Sequence, residues 1–209
     1  SAPSALPLLT VPTVSQEMVN ALPHAPTGDC VCWGIPFRVQ DPIAVSQEPV
    51  NVSLPTTGAH FLVFLHASDI RPLKGDDRGF PTTRLGEGHL GEEAARYVVI
   101  YEDGTEESIA IRRRYHIGMF QSRWGENCFQ AVAHTKPHPH RAHHEQTIAG
   151  WGPSQTRVAM PDRGPWMSWL FAWENPHPKK GIVGLRLEPV NGAVLVQGVS
   201  AGSVSSTPL

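Results

Sequence analysis

The stretch Trp166-Met167-Ser168-Trp169-Leu170-Phe171-Ala172-Trp173 decides the fold class. Read with a period of two, Met167, Trp169, Phe171 and Trp173 fall on one side of a strand, and all are large and apolar. Trp166, Ser168, Leu170 and Ala172 take the other side. A strand this rich in aromatics needs a second layer to cover it, so it is expected in the middle of a sheet. Glu174-Asn175-Pro176-His177-Pro178 follows. Its two prolines cannot donate to a ladder and force an extended corner. The chain then re-enters an apolar run with Val183, Leu185 and Leu187 on one face. Strand, proline corner, strand is the pattern of an all-β sandwich, an architecture more often used for binding or scaffolding than for catalysis.

The same alternation spreads outward. Residues 60–67 are almost continuously apolar, with Phe61, Val63 and Leu65 on one face and Leu62 and Phe64 on the other, as in a strand covered on both sides. Residues 97–101 lead through Glu102-Asp103-Gly104-Thr105 into residues 107–111, the Asp-Gly signal of a β-hairpin. Residues 50–54 and 129–134 supply short strands. Residues 182–187 and 194–199 are read as a second hairpin about Asn191-Gly192. Residues 31–39 are read as one strand carrying Trp33, Ile35 and Phe37 on one face, which Pro36 demotes to an edge strand or a bulge. Twenty prolines and nineteen glycines are spread along the chain, which points to many turns. No segment of a dozen residues shows a helical period. The expected fold is therefore a two-sheet antiparallel β-sandwich without a helix longer than two turns. Its core is expected to include Phe61, Val63, Leu65, Val98, Ile100, Trp169, Phe171, Trp173, Leu185 and Leu187. Residues 1–29 are expected to form an extended N-terminal segment over the surface, residues 30–202 the sandwich, and residues 203–209 a linker-like tail.

Charge narrows the partners. Charged residues make up 17% of the chain and the formal net charge is −2. A nucleic-acid surface needs clustered Lys and Arg, whereas the single basic run, Arg112-Arg113-Arg114, lies close to Glu106 and Glu107. No apolar run is long enough to suggest a membrane span. The three cysteines, Cys30, Cys32 and Cys128, are read as reduced and at least partly buried. Cys30 and Cys32 stand two apart on one strand face, where a mutual bridge is strained.

The richest chemistry lies in residues 134–145, which hold His134, His138, His140, His143, His144 and Glu145. Imidazoles and a carboxylate are the ligands of a zinc-type site, so His138, His140, His143, His144 and Glu145 are the metal candidates. Against this, the segment is interrupted by prolines and has none of the established zinc spacings. Residues 136–165 are assigned to a loop. In a sandwich, recognition falls to loops gathered at the ends of the sheets, so His140, Arg141, His143, His144 and Trp151 are the expected ligand contacts. Trp124 and Trp151 sit next to glycines, where an indole either stacks on a sugar ring or plugs an open end. The polar segment 71–91 and its end carry Asp76, Asp77, Glu87, Glu92 and Glu93. This set would suit an acid/base pair or a calcium ion, although the spacing of known calcium loops is absent. No Gly-x-Ser-x-Gly elbow and no phosphate-cradling glycine loop is present.

Several phrases, taken in order, resemble a known family: Trp33-Gly34-Ile35-Pro36-Phe37, Phe64-Leu65-His66-Ala67, Tyr97-Val98-Val99-Ile100-Tyr101-Glu102-Asp103-Gly104, and Trp173-Glu174-Asn175-Pro176-His177-Pro178 followed by Ile182. They are similar to the galactose-binding-like jelly-roll domains attached to large bacterial hydrolases. Arg112-Arg113-Arg114-Tyr115-His116-Ile117, Trp124-Gly125 and residues 129–136 resemble most closely the version that precedes a metal-dependent hydrolase domain of the polymerase-and-histidinol-phosphatase type, as in carbaryl-hydrolase-like enzymes. His138-Pro139-His140 has the His-x-His spacing of such catalytic domains but lies inside the expected sandwich, so it is not carried over as a metal pair. The resemblance implies a jelly-roll accessory module, non-catalytic itself, that binds a carbohydrate-like or other polar ligand or docks on a catalytic hydrolase domain. An extracellular or periplasmic setting is favoured over a cytoplasmic one. Two other readings stand beside it: a small metal-dependent hydrolase built on the His134 to Glu145 cluster with zinc or calcium, and a purely structural interaction domain.

Overall fold

The computed structural model describes residues 14–72, 78, 89–121, 127–135 and 165–209. Within them the fold is all-β, with antiparallel sheets packed as a sandwich. One sheet has four strands, in the order β4 (Val50–Thr57), β10 (Ile182–Pro189), β6 (Glu93–Tyr101) and β7 (Glu106–Arg112). The other has five: β3 (Ile43–Val45), β11 (Val194–Gly202), β5 (Phe61–Ser68), β9 (Trp169–Glu174) and β8 (Ala131–Ala133). A separate two-stranded hairpin pairs β1 (Gly28–Cys32) with β2 (Ile35–Val39).

The aromatic strand takes the central place its sequence demands. β9 lies between β5 and β8. Met167, Trp169 and Phe171 enter the core between the sheets, where they meet Leu62 and Phe64 of β5 and Tyr97, Val99, Ile109, Ile111, Leu185 and Leu187 of the opposite sheet. The alternate residues of the same two strands point the other way. Val63, Leu65 and Leu170 pack against Cys32, Phe37 and Val39 of the β1–β2 hairpin. Trp166, Ala67 and Leu195 pack against Met18, Leu22 and Ala25. All eight residues of β5 are buried because both of its faces are covered. Of the expected core residues, Ile100 and Trp173 are only half-buried and the other eight are buried. Val98 is buried although it alternates with Tyr97 and Val99, which face the core.

The N-terminal segment is not simply extended. Helix α1 (Gln16–Ala21), under two turns long, and a 3-10 turn at Leu22–His24 cover part of the outer face of the five-stranded sheet. Ser15 caps the helix by accepting from the Met18 N–H at 3.1 Å, while its own N–H and hydroxyl donate to the Asp69 carboxylate. At the other end of the chain, Leu209 packs back against the hairpin cluster.

Two sequence readings are corrected. Residues 31–39 are not one strand. The chain reverses at Trp33 (φ 55°) and Gly34 (φ 83°), a two-residue turn with both φ values positive, so that Cys32 pairs with Ile35 and Val31 with Pro36. The turn at Asn191-Gly192 is not a hairpin either. It carries the chain from β10 in one sheet to β11 in the other, with Gly192 at φ 78°. The short strand β3 and helix α1 were not foreseen. The expected strand at 129–134 is reduced to β8. The loop assigned to residues 136–165 lies outside the described residues except for Pro165.

Candidate functional site

The reversal at Trp33-Gly34 opens a groove of about 580 Å³ along the β1–β2 hairpin, lined by Pro26, Cys30, Val31, Cys32, Trp33, Gly34, His134 and Thr135. Two elements build it. The hairpin supplies the thiols and the indole, and the end of β8 supplies His134 and Thr135. The Trp33 Nε1–H ties them together by donating to the Ala133 carbonyl at 2.7 Å. A bulky residue at positive φ is an outlier, and this bond, with the packing of Trp33 on the hairpin cluster, holds it there.

His134 is the polar group of the opposite wall. Its backbone N–H donates to the Ser168 carbonyl at 2.8 Å, and its Nδ1 accepts from the Ser168 N–H at 3.1 Å. With Nδ1 accepting, the neutral ring carries its proton on Nε2, which has no partner among the described residues. Burial lowers the His134 pKa below its ordinary value, opposed by the contact of the ring with the Ser168 carbonyl at 3.3 Å, so the ring is neutral at pH 7. It therefore presents a neutral N–H donor. Cys32 is equally quiet: burial, with the Cys30 thiol beside it, pushes its pKa up to about 12. A thiol that stays protonated at neutral pH is a poor nucleophile. Val31, 70% exposed, forms an apolar part of the groove lining.

The other perturbed groups are committed to structure. His66 is fully buried in β5. Its Nε2–H donates to the His116 carbonyl at 2.9 Å, and its Nδ1 accepts from the Tyr97 hydroxyl at 2.9 Å. Burial drives its pKa down to about 3 and raises that of Tyr97. With both ring nitrogens bonded inside the core, His66 is a cross-sheet fastening between β5 and β6. At the sandwich end where β10 crosses to β11, Arg113 is buried. It donates to Glu92 at 3.0 Å, to the Asn191 carbonyl at 2.7 Å and to the Asp69 carbonyl at 3.4 Å. Arg71 reaches the same Glu92 carboxylate at 3.1 Å. Burial alone would raise the Glu92 pKa, but the hydrogen bonds from Arg71 and the charges of Arg113 and Arg71 outweigh it and hold the group below its ordinary value. Glu93 pairs with Arg96 at 2.7 Å. Glu92 and Glu93 are thus held in ion pairs, while Asp76, Asp77 and Glu87 lie outside the described residues.

The histidine-rich segment was the main expectation. His138, His140, Arg141, His143, His144, Glu145 and Trp151 all lie outside the described residues, as does Trp124. Only His134 of that cluster is described, and it lines the groove, next to Thr135, from which the segment continues. Among the described residues no three His, Cys, Asp or Glu side chains gather in a way that could hold a metal ion. Sequence reasoning missed the partnership of Cys30, Cys32 and Trp33 with His134. The available signal was Trp33-Gly34 itself, since a glycine between two apolar runs marks a turn as readily as a strand interior. No protein-family model, no curated protein and no solved structure matches this chain.

Proposed function

We propose that this chain is a non-catalytic β-sandwich module of a larger bacterial hydrolase, jelly-roll-like in the galactose-binding manner, and that it holds a sugar-like ligand in the groove beside the β1–β2 hairpin. The observation that carries this reading is the fixed indole of Trp33, bonded to Ala133 at 2.7 Å and lining an open groove. A rigid aromatic wall suits the apolar face of a pyranose ring, and few polar groups are needed to orient it. The Nε2–H of His134 and the hydroxyl of Thr135 are such groups. Neutral partners favour an uncharged, hydroxyl-bearing ligand over an anion. The titratable residues best able to do chemistry, His66, Tyr97 and Glu92, are engaged in core or inter-loop bonds, which suits a binding role better than a catalytic one.

Calorimetric titration of the full chain with a panel of neutral mono- and oligosaccharides tests this. Trp33→Ala is expected to weaken binding by about tenfold or more, the worth of one aromatic stacking contact. A still-folded deletion of residues 138–146 examines the histidine-rich segment separately. Loss of binding in the deletion with no effect of Trp33→Ala would move the site to that segment. Saccharide-independent capture of a hydrolase catalytic domain, weakened by Val31→Asp, would instead make the groove a docking surface.

A further inference from the structure

β1 carries Cys30 and Cys32 two residues apart, hence on one face of the hairpin. Both line the groove, and both belong to the same packed cluster, Cys32 buried and Cys30 half-buried against it. Two apart on one extended face, their side chains are neighbours on one wall of the groove. Cys128, the third cysteine, does not line the groove. A bridge between residues two apart on one extended strand is strained. Zinc demands four ligands, and among the described residues no third His, Cys, Asp or Glu completes a set with this pair. Two adjacent sulfurs without a third ligand match a soft monovalent cation that accepts two-coordinate thiolate binding.

We propose that Cys30 and Cys32 form a two-sulfur site for a soft, thiophilic cation of the Cu(I) class. Binding breaks both S–H bonds and forms two S–Cu bonds. Two protons leave to solvent, and no group is oxidised or reduced. The bound unit carries one negative charge, which the neutral N–H donor of His134, lining the same groove, suits better than an acceptor would. The site requires nothing of sugar binding, so the two proposals fail separately.

Anaerobic titration of the untagged full chain with Cu(I) alone, against a chromogenic Cu(I) chelator, is the test. The expected result is one copper withheld per chain. Cys30→Ser, a substitution at a half-buried position, should lose that affinity by about a hundredfold or more, and Cys128→Ser should leave it unchanged. Melting temperatures confirm that the variants are folded. If Cys32→Ser, at the buried position, fails to fold, Cys30→Ser decides. Failure of the wild type to withhold copper would overturn the proposal, as would equal retention by Cys30→Ser. Full retention by a Cys30→Ser/Cys32→Ser double variant would assign the copper to histidines instead.

Discussion

A Cβ atom at residue 118 would sit inside the indole of Trp169, whose Nε1–H donates to the Met119 carbonyl at 3.0 Å. Glycine is required there by packing rather than by backbone conformation, since φ at Gly118 is not positive. Gly118→Ala is therefore expected to destabilise the protein by about 1–3 kcal/mol through overpacking. Gly58→Ala, where a Cβ meets only the Pro178 carbonyl at 3.8 Å, should change stability by less than about 0.5 kcal/mol. Urea denaturation of the two variants compares them directly, and equal midpoints would refute the packing account. Phe171 makes the complementary case. Its ring lies 4.5 Å from His116 and 6.4 Å from Phe64, and it is buried. Phe171→Ala should cost about 3–5 kcal/mol. A loss under about 1 kcal/mol would mean that this face is open and available for binding.

At the scale of elements, Asn175 explains why the proline corner after β9 has its form. Its Oδ1 accepts from the Tyr101 hydroxyl at 2.6 Å and from the His177 N–H at 2.9 Å, and its Nδ2–H donates to the Ala59 carbonyl at 2.8 Å. One buried amide thus joins the ends of β9, β6 and the approach to β5, binding the two sheets to each other. Asn175→Ala leaves the buried Tyr101 hydroxyl and Ala59 carbonyl without this partner, at about 1–3 kcal/mol for each orphaned group. Thermal melts should show a loss of about 2 kcal/mol or more, and a near-neutral variant would show that water replaces the amide without penalty. The corner itself was legible, because prolines act locally. So were β5, β9 and the β6–β7 hairpin, where Asp103 Oδ1 accepts from the Thr105 N–H at 3.0 Å around Gly104 at φ 80°. The β1–β2 reversal was signalled only by Gly34, a signal masked by the apolar alternation that runs through Trp33, and a tertiary bond to Ala133 is what fixes the turn. Asn191-Gly192 misled for a related reason. A turn signal reports a change of direction, while the sheet that the next strand joins depends on distant partners. Helix α1 is too short to show a 3.6 period, and it forms where its cap, Ser15, meets Asp69 across the chain. Of the candidate site, only His134 was visible in the sequence; the groove arises from contacts between residues about a hundred positions apart.

At the scale of the whole molecule, acid should act on stability through buried histidines, His66 foremost, and then through the Glu92 ion pairs. His66 ties β5 to β6 in the core, and its folded pKa is lowered to about 3 from an ordinary value of about 6.5. Between these values the unfolded chain binds a proton that the folded chain refuses. The contribution of His66 is therefore fully present above about pH 6.5 and is lost as pH falls, at up to about 1.4 kcal/mol per pH unit. Glu92 fastens the loop before β6 to Arg71 and Arg113. Its folded pKa lies below the ordinary carboxylate value. Its contribution is present above that ordinary value and disappears only as pH falls through the depressed folded one. The two losses begin in different windows and overlap below the ordinary carboxylate value, with the histidine acting first. Unfolding free energy measured from pH 8 to pH 3 should accordingly decline below about pH 6, before ordinary carboxylates titrate. Glu92→Gln should leave that upper limb intact and flatten only the lower one. His66→Gln, in which an amide keeps one donor and one acceptor without a titrating ring, should make the upper limb shallower, the depressed pKa values of His116 and His134 supplying the rest, at some cost in stability at pH 7. An upper limb that persists unchanged in His66→Gln would show that another group refuses the proton, and would remove His66 from this role.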